Sequence, residues 1–220
     1  MERILEPEVM DTSEEAEAYD AMDHSTVNVC FVDRIIELGA NEGRFLDLGT
    51  GPADIPIRLA LRCPKIRITA IDLSANMLKL GKKHATNAGL TNQITLELVD
   101  AKDLPYPDQS FDGIISNSII HHLPDPMPVF RGISRVLHPA GLILIRDLMR
   151  PETPEDARTL VERYAANDTP YQKKLLYDSF LASFTISEVE NMLAQVNLPG
   201  AGVVQSSDRH WSIECFAQNC

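Results

Sequence analysis

Three aspartates carry the first chemical signal in this sequence. Asp47, Asp72 and Asp100 each fall at the close of an apolar, strand-like run: "RFLD", "IRITAID" and "QITLELVD". Two glycines, Gly49 and Gly51, follow the first of them and precede a helical pattern. Glycine at such a turn lets backbone approach a bound ligand closely. Asp72 lies 21 residues beyond Gly51, where a carboxylate at the tip of a second strand accepts hydrogen bonds from two ribose hydroxyls. Strand, G-x-G, helix, strand and terminal Asp together predict a nucleoside site. A dinucleotide is disfavoured. Asp54 occupies the place of a third glycine, where its charge would repel pyrophosphate and its side chain would cap the helix's orphan N–H groups. Pro52 removes a donor, and no G-K-[ST] follows to make a P-loop.

A second set of residues could carry proton chemistry. His121 and His122, in "IIHHL", come just after the fourth strand-like run, and histidine titrates near neutral pH. Asp147, in "IRDL", ends the fifth. Alternation along a strand sends Arg146 and Asp147 to opposite faces, and Asp147 is expected to face the substrate. No metal site is predicted: adjacent histidines do not easily address one ion, and no third ligand is evident nearby. Cys30, Cys63, Cys215 and Cys220 are scattered without zinc-ligand spacing and are expected to be reduced and mostly buried.

The elements that must position these groups alternate. The strand-like runs cover 44–49, 66–72, 93–100, 111–117 and 141–148, with helical patterns at 53–62, 74–88 and 125–137 between them. Four of the runs are largely apolar, as strands covered on both faces are. "QITLELVD" alternates instead and is placed nearer a sheet edge. This pattern predicts an α/β fold with a doubly wound, mainly parallel sheet. Residues 1–40 carry polar helical pattern. Residues 151–185 form a helix-prone insertion, with Thr153 and Pro154 at a helix start. Ser187 and Glu190 have capping-box spacing and predict a helix over 187–198. "GAGVVQS" and "HWSIECFAQ" supply two late strands, making about seven, the last antiparallel.

The chain has 220 residues, 44% of them hydrophobic, and 20 Lys+Arg against 32 Asp+Glu for a net charge of −12. That balance argues against nucleic acid and against anionic membrane as partners. The first twenty residues lack the apolar core of a leader, and no run approaches the ~18 residues of a membrane span. A cytoplasmic protein with no stable membrane association is expected.

"DLGTGPA", "AIDLSANML", "LVDAKDLPYPDQSFDGIISNSIIHHL" and "VLHPAGLILIRDL", in that order, resemble the class I S-adenosylmethionine-dependent methyltransferases over about residues 40–217. The small-molecule and quinone methyltransferases are the most similar members. The resemblance implies a Rossmann-like fold, S-adenosylmethionine as cofactor, S-adenosylhomocysteine as product and a small-molecule acceptor. It implies that Asp47, Gly49, Thr50 and Gly51 line the methionine and ribose portion, that Asp72 binds the ribose hydroxyls, and that Leu73 and Met77 flank the adenine. Asp100 and Ala101 would meet the adenine edge, and Asn117 and Ser118 the methionine ammonium. Residues 1–40 would form a helical lid on a 41–220 domain, with Tyr19 against the cofactor. The 151–185 cap, with Tyr164, Tyr171, Tyr177, Phe180 and Phe184, is the natural second wall of an acceptor pocket, although aromatics in such a segment are more often helix-packing residues than substrate contacts. His121, His122 and Asp147 are the catalytic candidates. Methyl transfer to a quinone ring carbon, or cofactor binding in a non-catalytic regulatory module, are the alternatives.

Overall fold

The computed structural model describes residues 1–6 and 12–216. Its elements run α1 (Ser13–Asp20), α2 (Ser25–Glu37), β1 (Glu42–Leu48), α3 (Asp54–Arg62), β2 (Lys65–Asp72), α4 (Ala75–Asn87), β3 (Ile94–Leu98) and β4 (Phe111–Asn117). A 3₁₀ turn (Ile120–His122) leads to α5 (Met127–Val136), β5 (Leu137–Leu148), α6 (Pro154–Tyr164), α7 (Pro170–Ala182), α8 (Ile186–Leu193), β6 (Gly202–Gln205) and β7 (His210–Cys215).

The seven strands form one sheet in the order β3-β2-β1-β4-β5-β7-β6. β1 to β5 pair in parallel, and β7 runs antiparallel to both β5 and β6. The alternating strand β3 is indeed an edge. Alternation along each central strand feeds two cores. Leu46, Leu48, Ile114, Ile143 and Ile145 face α5 and α8. Phe45, Ile115, Leu142 and Leu144 face α2 and α3. Both faces are dry, which is why these strands read as apolar runs rather than as clean alternation.

The cap folds as its own small cluster, with Leu148, Ala157, Val161, Ala165 and Phe180 buried together. Thr153 caps α6 as expected, with Asp156 completing the box. The helix predicted from Ser187 and Glu190 begins earlier. Thr185 is the N-cap and Glu188 its box partner, and the helix ends at Leu193. Glu188 is drawn to this position by Arg150 as well, at 2.6 Å. Of the cysteines, Cys63 and Cys215 are buried but Cys30 is exposed; Cys220 lies outside the described residues. Among the described residues no helix is long and apolar enough to cross a membrane.

Candidate active site

The chain winds outward from β1 through β2 to β3, then restarts at β4 on the other side. The carboxyl ends of β1 and β4 therefore diverge and open a crevice at the switch point, the usual ligand site of an open α/β sheet. The glycine turn sits there. Gly49 (φ 69°), Gly51 (φ 55°) and Ala53 (φ 64°) are all left-handed, which Gly adopts without a side-chain penalty. Thr50 N–H donates to Ile71 O at 2.9 Å, tying the turn to β2. Asp72 completes the brace: its Oδ2 accepts from Gly51 N–H and its Oδ1 from Ser74 N–H, both at 2.8 Å. Burial pushes the Asp72 carboxyl up from its ordinary range, against the pull of those backbone donors.

Two cavities adjoin along this turn. The first is lined by Tyr19, Gly49, Gly51, Asp72, Leu73, Met77, Asp100, Ala101, Asn117, Ser118 and His122, with Ile71, Val99, Ile119 and Leu123 between them. Ten of the twelve predicted cofactor residues thus meet on one wall. Thr50 lines the second cavity instead, together with His24, Asn28, Asp54, Arg58 and His84. Tyr19, Gly49, Gly51 and Asn117 border both. Burial raises the Tyr19 phenol above its ordinary range, and the charges of Asp72 and Asp54 add to the effect.

Asp47 lines neither cavity. It is 2% exposed beneath the turn, and its Oδ2 has no hydrogen-bond partner among the described residues. Burial, with Asp72 adding a like charge, pushes its carboxyl up to about 7. Asp54 does not cap α3 either: its carboxylate accepts from Asn28 Nδ2 at 2.8 Å and Arg58 Nε at 2.6 Å. The cap geometry that a bare helix start invites is displaced here by the charged Arg58 donor and the Asn28 amide.

The catalytic candidates divide. His122 is on the cavity wall; His121 and Asp147 are not. Asp147, expected to face substrate, is fully buried. It accepts from the N–H groups of Ile120 (2.5 Å), His121 (3.1 Å) and Leu148 (2.6 Å), and from His121 Nδ1 (2.5 Å). Its lone pairs are spent on fixing the turn that carries the histidines. A third group joins them that the sequence did not advertise: Glu6 Oε1 lies 3.2 Å from His121 Nε2 and 3.0 Å from His122 Nδ1. Ligand-type atoms of Glu6, His121 and His122 all fall within 4.8 Å of one another, so a third neighbour does exist. Burial alone would lower the His121 pKa, but the Asp147 charge and the bonds to Asp147 and Glu6 outweigh it and lift it to about 9. His121 is then held as an imidazolium at neutral pH between the Asp147 and Glu6 carboxylates.

None of the cap aromatics Tyr164, Tyr171, Tyr177, Phe180 or Phe184 lines either cavity. Phe180 is consumed in the cap's own core, and Arg3 covers Phe184 at 3.8 Å from the ring centroid. The residues that sequence reading missed are mostly the apolar bracket of the site. Ile119 and Leu123 enclose the histidine pair within "SIIHHL", and that flanking pattern was the available signal.

A family model described as a methyltransferase domain matches residues 40–197. The chain belongs to this family. Among similar proteins, this methyltransferase-family chain is 32% identical over 120 residues to a 27-O-demethylrifamycin SV methyltransferase of Amycolatopsis mediterranei, covering 54% of this chain and 44% of that protein. It is 33% identical over 113 residues to a ubiquinone/menaquinone biosynthesis C-methyltransferase of Geotalea daltonii, covering 51% and 48%. The chain thus spans about half the length of the curated relatives it matches. A crystal structure of a SAM-dependent methyltransferase from Aquifex aeolicus superposes with a TM-score of 0.70 at 19% identity, over 94% of this chain and 99% of that one. At that identity the likeness bears on the Rossmann-like fold.

Proposed function

We propose that this protein transfers the methyl group of S-adenosylmethionine to a small polar acceptor, as an enzyme of the EC 2.1.1 type. The observation that carries the reading is the continuous wall from the glycine turn through Asp72 to Asp100, with family membership behind it. In this reading Asp72 accepts from the two ribose hydroxyls, and those donors offset the cost of its buried charge. Leu73 and Met77 pack on the adenine, while Asp100 and the Ala101 N–H read its edge. Gly49, Thr50, Gly51, Asn117 and Ser118 hold the methionine portion, with Asp47 buried beneath the turn as its support. When bound, the cofactor supplies a methyl on a sulfonium, already activated for displacement, so positioning supplies much of the rate.

The acceptor enters where the two cavities meet, among Tyr19, Asn117 and His122. Residues 1–40 act as the lid through Tyr19, and 151–185 act as a cap that buttresses the site without lining it. His24, Asn28, Asp54, Arg58 and His84 make the second cavity polar, which favours a polar acceptor over a quinone ring. The same acidic balance favours neither nucleic acid nor membrane as partner, and a cytoplasmic setting suits such chemistry. A screen of thiols, amines, phenols and alcohols for release of S-adenosylhomocysteine tests the proposal. Turnover with any class supports an enzyme; tight cofactor binding with no turnover across all four would mean a binding module instead.

A further inference from the structure

A third cavity lies at the far end of the sheet from the candidate active site. The β1–β2 and β2–β3 crossovers carry α3 and α4, but the β3–β4 connection contains no helix. It crosses the sheet as loop and leaves a cavity of about 310 Å³ against β1, β2 and β3. Arg44, Arg67, Thr69 and Thr95 line this cavity from the strands, and Tyr106 and Ser110 line it from the loop. Alternation puts Arg44 on the face of Leu46 and Arg67 on the face of Ile71. Both arginines therefore sit near the starts of strands whose other ends lead to the glycine turn and Asp72.

The charges on this face change character along the register. Glu42 lies beside Lys65, and the two form an ion pair at 3.3 Å. Two residues further along the same face, Arg44 lies beside Arg67. Like charges on neighbouring strands repel, and among the described residues neither guanidinium is in an ion pair that would offset this. Nearby carboxylates have other partners: Glu97 accepts from Tyr106 OH at 2.6 Å, and Asp112 from the Arg44 backbone N–H at 2.7 Å. Arg67 Nη1 donates to the Pro64 and Ile66 carbonyls at 3.2 Å, which anchors its guanidinium beside the cavity it lines. Ser110 Oγ is buried with no hydrogen-bond partner among the described residues. Two adjacent cations and an unused buried hydroxyl thus meet in one cavity of a chain whose net charge is −12.

We infer that this cavity binds a small phosphomonoester. The planar fork of arginine matches the oxygens of a phosphate, and charge-assisted bonds of this kind are about twice as strong as neutral ones. A dianion offsets the repulsion between Arg44 and Arg67, where a single carboxylate would answer only one of them. The hydroxyls of Ser110, Thr69 and Thr95 add neutral donors, and Pro107 and Phe111 give the carbon part of the ester an apolar wall. A long polyanion is a poor fit, because two arginines set in an acidic chain cannot outweigh its repulsion. The inference stands apart from the methyl-transfer reading: neither arginine lines the two cavities of the candidate active site.

The test titrates phenyl phosphate, inorganic phosphate and phenol separately into the ¹⁵N-labelled full chain. Saturable backbone shifts at Arg67, Thr69, Thr95 and Ser110 are expected with both phosphates and not with phenol. Arg44→Gln and Arg67→Gln should each weaken phenyl phosphate binding by about tenfold or more. Both arginines are exposed, so the variants are expected to keep the wild-type melting temperature. An absence of saturable shifts overturns the proposal, as does binding of unchanged strength in both variants. Shifts confined to the glycine turn and Asp72 would place the phosphate in the other cavities and overturn it too. Vesicles of phosphatidylcholine with and without phosphatidic acid separate a soluble ester from a lipid headgroup. Sedimentation with the acidic vesicles in the absence of phenyl phosphate binding would make this a membrane contact and overturn the proposal. Failure to bind S-adenosylhomocysteine would remove the methyl-transfer reading and leave this one standing.

Discussion

Asp47→Asn should raise stability near neutral pH and abolish part of its pH dependence. Asp47 is 2% exposed with one carboxylate oxygen unpartnered, and burial moves its pKa from an ordinary 3.8 to about 7. In the unfolded chain the carboxyl ionises above about pH 4; in the folded protein it stays protonated until about pH 7. Between those values the unfolded state binds fewer protons than the native state, so the unfolding free energy falls as pH rises. The stability is fully present below pH 4, lost across the window, and level again above pH 7. At about 1.4 kcal/mol per pH unit, the gap amounts to about 4 kcal/mol. Asparagine mimics the protonated acid and does not titrate. Urea unfolding at intervals from pH 4.5 to 8 should show the wild type losing about 3 kcal/mol relative to the variant. Curves that run parallel across that range would refute the claim that Asp47 is buried protonated.

Gly49→Ala places a Cβ at φ 69° and 2.1 Å from Ile119 Cγ2; the turn must move, and S-adenosylhomocysteine affinity measured by calorimetry should fall by about tenfold or more. Gly113→Ala drives a Cβ to within 2.3 Å of the Phe45 ring in a packed core, and denaturant titration should show a loss of about 1–3 kcal/mol. His122→Ala should leave S-adenosylhomocysteine affinity near wild type while turnover of any acceptor found by screening drops about 10²-fold or more; turnover that survives intact would remove His122 from the chemistry.

The sheet was legible because its signals are local. Central strands buried on both faces are continuous apolar runs, and the edge strand β3 betrays itself by alternating. The cavity wall was legible for the same reason: Asp72 and Asn117 close β2 and β4 and Asp100 lies two residues past β3, so the topology gathers them at one edge. What sequence could not supply were choices settled by distant partners. Thr185 and Ser187 both have a glutamate three residues on, and Arg150, thirty-eight residues from Glu188, helps decide between them. Asp147 and Arg146 were correctly assigned to opposite faces, but nothing local says that backbone N–H groups of the histidine turn would consume the aspartate. Glu6 meets His121 across most of the domain, in a stretch that reads only as acidic. For the cap aromatics, aromatic content alone could not separate helix packing, as at Phe180, from a pocket wall.

The central claim is that the glycine turn and Asp72 hold S-adenosylmethionine. Its most direct test is thermal stabilisation of the wild type and Asp72→Ala by S-adenosylmethionine and S-adenosylhomocysteine, with NAD and ATP as controls. Ligand that binds only the native state raises the melting temperature according to RT ln(1 + [L]/Kd). A rise with the first two ligands alone, lost in Asp72→Ala, is the predicted result. A rise with NAD, or none with either S-adenosyl compound, would contradict the account.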